Sequence, residues 1–375
     1  MDQQLLPSEW NDRLDHWIRI LKDDFYFPLG EIHWESFQTF DLLTPEAAEQ
    51  QSFSPVSTGK MWGDQWEYCW FRGDVILPQE ANDQRIVLDV HPDGESTLFV
   101  NGQPFGTYRT VNIPQPHHYL VDNTLTFSGR EGERFHILME TYAGHSYPKA
   151  PNGRTAPGPI LPGIYQTPPE GTPRRTLGKC TYGIWNETAY QLFMDVSSLR
   201  LLFDTLDPSS LRAAKLCKSL KQFTYIVDFE QPYRARTACY KEARKFLEPV
   251  LMAKNGDTVP VFYAIGNSHL DLAWLWPTTE TIRKTIRTFS AQLRLMEESP
   301  EYRSLQSQPA AYEMCRKYSP DLFARIRQAV SRGQWIPEGA MWVEPDTNMA
   351  GGEALIRQIV HGKRWDRSAF NIDSK

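Results

Sequence analysis

Cysteine is scarce in this sequence, and its spacing excludes two kinds of structure. The 375 residues include 5 cysteines, which are odd in number, lie far apart and form no CxxC pair. A disulfide framework and a thiolate zinc site both need closer pairing than this, so we expect a protein of a reducing compartment. The cysteines are Cys69, Cys180, Cys217, Cys239 and Cys315.

Long apolar runs are absent as well. No run approaches the roughly 18 to 20 residues that a membrane-spanning helix needs, and we expect no membrane partner. Residues 1–10 are polar and acidic, without the basic and then apolar segments of a signal peptide. We therefore expect a soluble, cytoplasmic protein.

Positive charge is in deficit. The chain has 40 Lys and Arg against 46 Asp and Glu, a net charge of −6, and it has no block rich in Lys and Arg. We therefore expect no nucleic acid partner. The glycine motif GxGxxG, the motif GxxxxGK followed by Ser or Thr, and the GxSxG elbow are also missing. The sequence therefore does not support nucleotide binding, or a serine nucleophile on the strand-to-helix turn of an α/β-hydrolase.

Aromatic residues, by contrast, are abundant. They make up 13% of the chain, with 12 Trp among them. Their flat faces suit sugar binding, but we expect most of them to fill cores. The fractions of 41% hydrophobic and 23% charged residues are typical of a globular protein, and the length suits two or three domains.

The pattern of the first half predicts two segments. Within residues 1–58, the spacing of apolar residues predicts a helix over 8–24, followed by an irregular extension. Residues 59–200 predict an all-β sandwich, because short alternating strands are separated by turn residues, followed by a Pro/Gly-rich connector over 147–185.

Part of this sandwich resembles a known kind of module. The run Trp70-Phe71-Arg72 and the segment from Leu98 to Gly106 resemble the galactose-binding-like jelly rolls attached to many glycoside hydrolases. Such a module either binds sugar or only braces its neighbour, and we favour the brace because fold alone does not imply binding.

The second half predicts a change of architecture. Residues 201–258 predict a helical linker region, preceded by a strand and turn over 188–206. Residues 259–375 then alternate between strand and helix, which predicts a parallel α/β layer. Its first strand is predicted to begin at Val261, in a short run rich in β-branched and aromatic residues, and to end just before His269.

Polar residues follow the predicted strands, where parallel sheets place their sites. His269 and Asp271 are two residues apart, so an extended chain points them the same way, as two ligands of one metal must. A nitrogen and a carboxylate suit zinc, and also cobalt or manganese. Glu344 and Asp346 form a second cluster, with Glu338 and Trp342, which either binds sugar hydroxyls or is a solvated turn.

Four motifs of the last segment point to one family. They are Gly266–Pro277 (GNSHLDLAWLWP), Glu280–Thr285 (ETIRKT), Ser307-Gln308-Pro309 and Gly339–Asn348 (GAMWVEPDTN). In this order they resemble glycoside hydrolase family 38, the class II α-mannosidases, in the branch of cytosolic and bacterial members without a signal peptide. The dense match covers residues 259–375.

The resemblance implies a fold and an activity. The N-terminal β-sandwich would be followed by the first part of a parallel α/β, seven-stranded-barrel-like catalytic domain. The activity would be retaining, metal-dependent hydrolysis of terminal α-mannosides from oligosaccharides, with an aspartate nucleophile that also binds the metal and a separate acid/base aspartate. Zinc is the usual metal, and cobalt is the second choice. A homo-oligomer is expected for the full-length enzyme.

The resemblance also assigns residues. His269 and Asp271 match two metal ligands of the family, and Trp274 matches the aromatic residue of its mannose subsite. We expect Glu344 and Asp346 to bind substrate. The family's nucleophile belongs after the stretch resembling Ile372-Asp373-Ser374-Lys375, and neither catalytic carboxylate is matched. We therefore expect a truncated N-terminal piece of such an enzyme, inactive by itself.

Two other classes remain open. The chain could be a non-catalytic carbohydrate-binding protein that acts through its sandwich. It could also be a metal-dependent hydrolase of another kind, with His361 as a third ligand, although a place inside the last helix makes a surface role the better interpretation of that histidine.

Overall fold

The computed structural model describes residues 8–108, 123–144, 175–256, 258–273 and 276–375. Its helices are α1 (Ser8–Leu21), α2 (Pro45–Glu49), α3 (Glu187–Thr205), α4 (Leu211–Ile226), α5 (Tyr233–Leu251), α6 (Thr278–Glu298), α7 (Pro309–Tyr318), α8 (Pro320–Ser331) and α9 (Gly352–Phe370). In the part of the chain described, no helix has the length and apolarity needed to cross a membrane.

The strands are short, and most lie in the first half of the chain. They are β1 (Tyr26–Glu31), β2 (Trp34–Thr39), β3 (Ser54–Val56), β4 (Met61–Trp62), β5 (Tyr68–Ile76), β6 (Ile86–Asp89), β7 (Glu95–Val100), β8 (Gln103–Tyr108), β9 (Thr124–Thr126), β10 (Arg134–Tyr142), β11 (Arg175–Thr176), β12 (Thr181–Trp185), β13 (Gly266–Asn267), β14 (Ser304–Gln306) and β15 (Trp335–Pro337).

The chain forms two compact units, one from residues up to 29 together with 183–262, and one from 30–182 together with 263–375. The first unit contains the helices α1, α3, α4 and α5, together with residues of the strands β1 and β12. Its buried Asp24 accepts hydrogen bonds from Arg236 Nε and Nη2, each of 2.7 Å, and from the Tyr240 hydroxyl. Pairing of this kind compensates the cost of burying a carboxylate.

The strand and turn predicted over 188–206 are wrong, because this segment is helix α3. Asn186 caps the helix, since its Oδ1 accepts from Ala189 N at 3.1 Å. The buried residues recur at steps of three and four, which is the helical period. They are Ala189, Leu192, Phe193, Val196, Leu199 and Phe203.

The second unit begins with the predicted sandwich. Its larger sheet has the strand order β3-β2-β5-β10-β7-β8, and every neighbouring pair is antiparallel. The predicted turn between β7 and β8 is confirmed, with positive φ at Asn101 (50°) and Gly102 (79°) as a tight hairpin requires. Strands β6 and β9 pair antiparallel in a further sheet.

The extension up to residue 58, predicted to be irregular after its helix, contains regular strands. Strands β2 and β3 precede residue 59 and belong to the larger sheet. The alternation of β2 is weak because most of its residues are half-buried, which hides the strand from a pattern search. The predicted connector lies largely outside the described residues, as do parts of the strands predicted over 107–112 and 119–125.

The predicted parallel α/β arrangement is present in the rest of the second unit. Strands β13, β14 and β15 pair parallel in that order. Helix α6 connects the first two strands, and α7 and α8 connect the next two. Their core is a cluster of buried residues around Phe289, Tyr312 and Trp335, with Trp365 of α9 packed against it.

The strand predicted from Val261 to just before His269 is present only at its end. The strand consists of Gly266 and Asn267 only, and Phe262 is 93% exposed. Gly266 N donates to Arg303 O, but the residues before Arg303 form a turn in which Tyr302 N donates to Ser299 O. The apolar run therefore has no neighbouring strand to pair with, and a strand needs such a ladder.

Candidate functional site

The candidate site lies in the loops that follow the three parallel strands. Parallel strands end at one edge of their sheet, so the loops after β13, β14 and β15 come together there. Gln308 joins all three: its Nε2 donates to Leu270 O at 2.7 Å, and its Oε1 accepts from Glu344 N at 3.2 Å. One side chain of the second loop thus holds the first and the third.

His269 and Asp271 lie side by side in the first loop. The His269 Nε2 and Asp271 Oδ1 atoms are 3.0 Å apart, and the histidine side chain is 57% exposed. Leu270 between them is buried in the core of the α/β part. Because the middle residue points inward, its two neighbours are turned outward together, as expected from the spacing.

Glu344 reaches the other side of the same ring. Its Oε2 is 3.1 Å from His269 Nδ1, and its Oε1 accepts a 2.7 Å hydrogen bond from Ser307 Oγ. The hydrogen bond to Asp271, opposed by partial burial and supported by the charges of Glu344 and Asp271, raises the pKa of His269 above its usual 6.5. The ring is therefore held between two carboxylates.

This arrangement fits a metal ion at Nε2. Carboxylates only accept hydrogen bonds, so a neutral imidazole can satisfy just one of the two contacts. Both contacts are satisfied when the ring carries a second proton, or when Nδ1 donates to Glu344 and a metal ion binds at Nε2. Metal–ligand bonds of about 2.0–2.2 Å put neighbouring ligand atoms of a tetrahedral site roughly 3.3–3.6 Å apart. The observed 3.0 Å is a hydrogen-bond distance, and a bound metal ion would require the two atoms to move apart by a few tenths of an ångström.

Glu344 is on the wrong side to share that metal. It contacts Nδ1 whereas Asp271 faces Nε2, and in the described part of the chain no three His, Cys, Asp or Glu residues converge as a ligand group. A carboxylate on the second ring nitrogen is the usual partner that fixes the tautomer and orientation of a metal-bound histidine. If a metal ion were bound at Nε2, His269 and Asp271 would supply two of its ligands, and Glu344 would orient the histidine ring.

Helix α6 holds the first loop in place. Thr281 Oγ1 accepts from Ala273 N at 2.9 Å and from Trp276 Nε1 at 3.2 Å. Further along, Gln292 Nε2 donates to Ser268 Oγ at 2.6 Å. The loop is thus tied to the helix on both sides of His269 and Asp271.

Among their described residues, the three loops each contain one residue other than glycine with a left-handed backbone. These are Ala273, Gln308 and Ala340, with φ of 58°, 68° and 53°. Such conformations cost of order 1–3 kcal/mol each and persist where the surrounding contacts impose them, often at functional sites.

A cavity of about 410 Å³ opens beside His269 and Asp271. Trp276 lies on its wall, with Lys284 Nζ 4.6 Å from the centre of the indole ring. An aromatic face beside charged donors and acceptors is a chemistry that can bind a polyhydroxylated ligand.

The remaining residues that the sequence suggested for the site do not take part in the contacts around His269. Asp346 is exposed, and its Oδ1 accepts from Asn348 N at 2.9 Å within its own turn, which is the solvated-turn interpretation. Trp274 lies outside the described residues. His361 is exposed on α9.

Sequence reasoning missed the residues that organise the loops. Ser307, Gln308 and Thr281 carry no charge and lie in motifs whose recognisable residues are others. A signal was present for Gln308, since a glutamine that lies two residues after a strand and directly before a proline is well placed to bridge neighbouring loops. Which atoms it bridges depends on the fold.

Comparison with known families gives two matches. Residues 260–375 match the model described as "Glycosyl hydrolases family 38 N-terminal domain", and residues 30–154 match "Alpha-mannosidase, jelly roll domain". The chain is 28% identical over 335 residues to "Alpha-mannosidase 2C1" of Mus musculus, with 89% of this chain covered. It is 26% identical over 330 residues to "Alpha-mannosidase G" of Dictyostelium discoideum, with 86% covered.

These relatives are much longer than the chain. It spans 30% of the mouse protein and 28% of the Dictyostelium protein. A match of 34% identity over 177 residues to "Alpha-mannosidase" of Saccharomyces cerevisiae covers 46% of this chain and 14% of that protein. Among solved structures, a Ruminococcus gnavus β-glucuronidase gives a TM-score of 0.28 at 12% identity over 44% of this chain and 30% of that chain.

Proposed function

We propose, from the match of residues 260–375 to the N-terminal domain of glycosyl hydrolases family 38, that the protein acts in the retaining, metal-dependent hydrolysis of terminal α-mannosides from oligosaccharides. The chain matches proteins named as α-mannosidases over most of its own length. Since it spans about 30% of the mouse relative, the activity and substrates of the whole protein are part of this proposal.

The observation that carries the metal part is His269 between two carboxylates. His269 Nε2 and Asp271 Oδ1 would hold a divalent ion, zinc by preference and cobalt as second choice, while Glu344 fixes the ring. Bound there, such an ion supplies a Lewis acid for sugar oxygens.

The cavity supports the proposal that the site binds a sugar. Trp276 and the charged groups around it offer an aromatic face with hydrogen-bonding partners. Trp274 as a platform for the mannose ring, which the resemblance implies, is a further part of the proposal. So are Glu344 and Asp346 as ligands of sugar hydroxyls, which the chemistry of carboxylates beside a tryptophan suggests. Retaining hydrolysis also needs two carboxyl groups about 5–5.5 Å apart, and no residue of this chain is matched to either.

Calorimetric titration of the 375-residue chain with methyl α-mannoside tests the proposal. We expect binding in the presence of zinc, loss of binding with a chelator, and loss in the His269→Ala variant. His16→Ala is the matched control, because His16 lies in the other compact unit and outside the site. Binding of methyl α-mannoside that depends neither on zinc nor on His269 would contradict the proposal.

Hydrolysis by the chain alone is a separate prediction. Because neither catalytic aspartate is matched, we expect no turnover of an aryl α-mannoside. Turnover that disappears in His269→Ala would show that this prediction is wrong. The barrel-like completion of the α/β part, a homo-oligomer of the full-length enzyme and a location in the cytoplasm stay predictions.

The alternative is a carbohydrate-binding protein that acts through the sandwich by itself. Two of the aromatic residues that suggested it, Trp70 and Phe99, are buried in the core of the sandwich with Ala48 and Leu138. Their faces are covered, so this alternative is less favoured. Mannoside binding that persists in His269→Ala would support it.

A further inference from the structure

The sandwich forms one wall of the cavity that contains His269 and Asp271. Glu95 of β7 and Thr107 of β8 line it together with Trp276, Lys284 and Arg287. All of these residues belong to the second compact unit. We propose, resting on the function proposed above, that Glu95 and Thr107 form with Lys284 and Trp276 a second sugar subsite, which binds the ring attached to the terminal mannose and thereby selects among oligosaccharides.

Glu95 is the centre of this wall. Its Oε2 accepts from Lys284 Nζ at 2.6 Å and from Arg287 Nη1 at 2.9 Å. Both cations come from α6, the helix that also holds the loop of His269 and Asp271. The carboxylate of the sandwich is thereby fixed next to that loop.

Partial burial strengthens the hydrogen bonds that the side chains of this wall can form with a ligand. The side chains of Arg287 and Lys284 are only 7% and 14% exposed, and that of Glu95 is 24% exposed. Hydrogen bonds that involve charged groups are about twice as strong as neutral ones, and reduced contact with water strengthens them further. A hydroxyl that reaches this wall would meet ionised partners already in position.

Thr107 adds a neutral acceptor. Its Oγ1 donates to Ser96 O at 2.8 Å, which uses the hydroxyl proton and fixes its direction. The oxygen keeps lone pairs that can accept from a ligand. Because β7 and β8 pair directly, with Thr97 opposite Thr107, the position of this oxygen is set by the sheet and not by a loop.

The charges favour a neutral, hydroxyl-rich ligand over an anion. Arg287 is paired with Glu95 and lies 3.6 Å from Glu280 Oε1, and Lys284 contacts the same two carboxylates. The cations are therefore already compensated. Donors and acceptors beside the indole of Trp276 suit the hydroxyls and C–H face of a sugar ring.

The cavity also has the size for more than one ring. Its volume of about 410 Å³ lies within the range of about 300–1,000 Å³ that drug-sized ligands occupy. A disaccharide is a ligand of this size. One ring would lie at His269 and Asp271, and the second at the wall formed by the sandwich.

The wall is rigid relative to the loop. Arg283 of α6 donates through Nε to Glu140 Oε1 of β10 at 2.7 Å, and both side chains are almost fully buried. The hydroxyl of Tyr68 on β5 donates to Glu280 of α6. A subsite made of two elements can be selective only when they are held together in this way.

The test compares two probes on the zinc-loaded 375-residue chain by calorimetric titration. The probes are methyl α-mannoside, which occupies one ring position, and a set of α-linked mannobioses, which reach both. We expect at least one mannobiose to bind more tightly than methyl α-mannoside. Thr107→Val and Glu95→Gln should each reduce this preference about three- to tenfold, the value of one hydrogen bond.

Thr176→Val is the matched control, because Thr176 is an exposed sandwich residue away from the cavity, and the preference should not change in it. Thr107→Val keeps the shape of the side chain, so it reports even when Glu95→Gln folds poorly. Equal binding of both probes by the wild type, or an unchanged preference in both wall variants, overturns the subsite. If His269→Ala still abolishes binding of both probes in that case, the proposed function stands. A zinc-loaded wild type that binds neither probe overturns both.

Discussion

At the scale of the residue, the contacts of His269 indicate what the site can bind. Both ring nitrogens face carboxylate oxygens, at 3.0 Å and 3.1 Å. A neutral ring cannot satisfy both, so the position calls for a second proton or a metal ion. The HxD spacing predicted the contact with Asp271. The contact with Glu344 was not predictable, because it joins residues on two different strand ends.

Glu344→Gln tests the orienting role. The amide has the same size but no charge, so it holds the ring less firmly and makes its nitrogen a poorer ligand. Partners of metal-bound histidines typically contribute about 10- to 100-fold to metal affinity, and we expect a loss in that range in a competition titration with a zinc-binding dye. Glu353→Gln is the control, because Glu353 is exposed on α9. Unchanged affinity in Glu344→Gln would contradict the role.

His136 gives the sandwich a pH-dependent contact. Its Nε2 is 2.7 Å from Glu49 Oε1 and its Nδ1 is 2.8 Å from Asp74 Oδ1. Burial opposes the charged ring, but the hydrogen bonds to Glu49 and Asp74 outweigh burial, and the pKa of His136 is raised above 6.5. Arg72 also contacts Glu49, at 3.4 Å.

The sign of the effect follows from the raised pKa. The stabilisation is fully present below the unfolded-state pKa of about 6.5 and is lost as the pH rises through the folded-state value. We expect His136→Gln to lower the free energy of unfolding by about 0.2–1 kcal/mol at pH 6, the range of exposed ion pairs, and by less at pH 8. Urea unfolding at both pH values measures this. An equal loss at both would rule out the charged contact.

At the scale of the element, helix α6 has two tasks. One end and one face hold the loop of His269 and Asp271 through Thr281 and Gln292. Other residues of the same helix dock on the sandwich through buried ion pairs, Arg283 with Glu140 foremost. The helix was predicted from steps of three and four between apolar residues. Its second, charged interface could not be predicted, because buried charges look like a solvated face in sequence.

Glu140→Ala tests this interface. Removal of one partner leaves the buried Arg283 uncompensated, and such losses cost about 3–5 kcal/mol. We expect a reduction of this size in the free energy of unfolding of the second unit, measured by urea. Glu353→Ala is the control, since it breaks an exposed pair with Arg357 that should contribute less than about 1 kcal/mol. Similar small losses in both variants would show that the buried pair does not hold the helix.

Two elements show where local patterns fail. The segment from Glu187 to Thr205 was predicted as strand and turn, yet a cap at Asn186 and buried residues at helical spacing make it a helix. The run 261–265 has strong strand propensity, but it is exposed and has no partner. Propensity predicts a strand only where a neighbour supplies hydrogen bonds, and the neighbour is a property of the fold.

At the scale of the whole molecule, the sequence motifs were more informative than the periodicity of hydrophobic residues. They pointed to the family whose model matches residues 260–375, and alternation of strands with helices predicted the parallel sheet. The sequence did not reveal that the sandwich and the α/β part share one compact unit. That union depends on partly buried pairs such as Lys284 with Glu95, whose members are 189 residues apart in sequence.

Zinc should stabilise this unit as a whole. A ligand that binds only the folded state contributes about 2.7 kcal/mol at roughly 100 times its dissociation constant, which corresponds to a rise in Tm of about 5–10 °C. We expect this rise in calorimetric melts of the wild type and not of Asp271→Asn. An equal rise in the variant would place the zinc elsewhere.

X-ray absorption at the zinc edge of the loaded 375-residue chain tests the central claim, that His269 and Asp271 hold a divalent metal. We predict nitrogen and oxygen neighbours at about 2.0–2.2 Å, with imidazole scattering that is lost in His269→Ala and kept in His361→Ala. Sulfur neighbours at about 2.3 Å, or a spectrum that His269→Ala leaves unchanged, would contradict it.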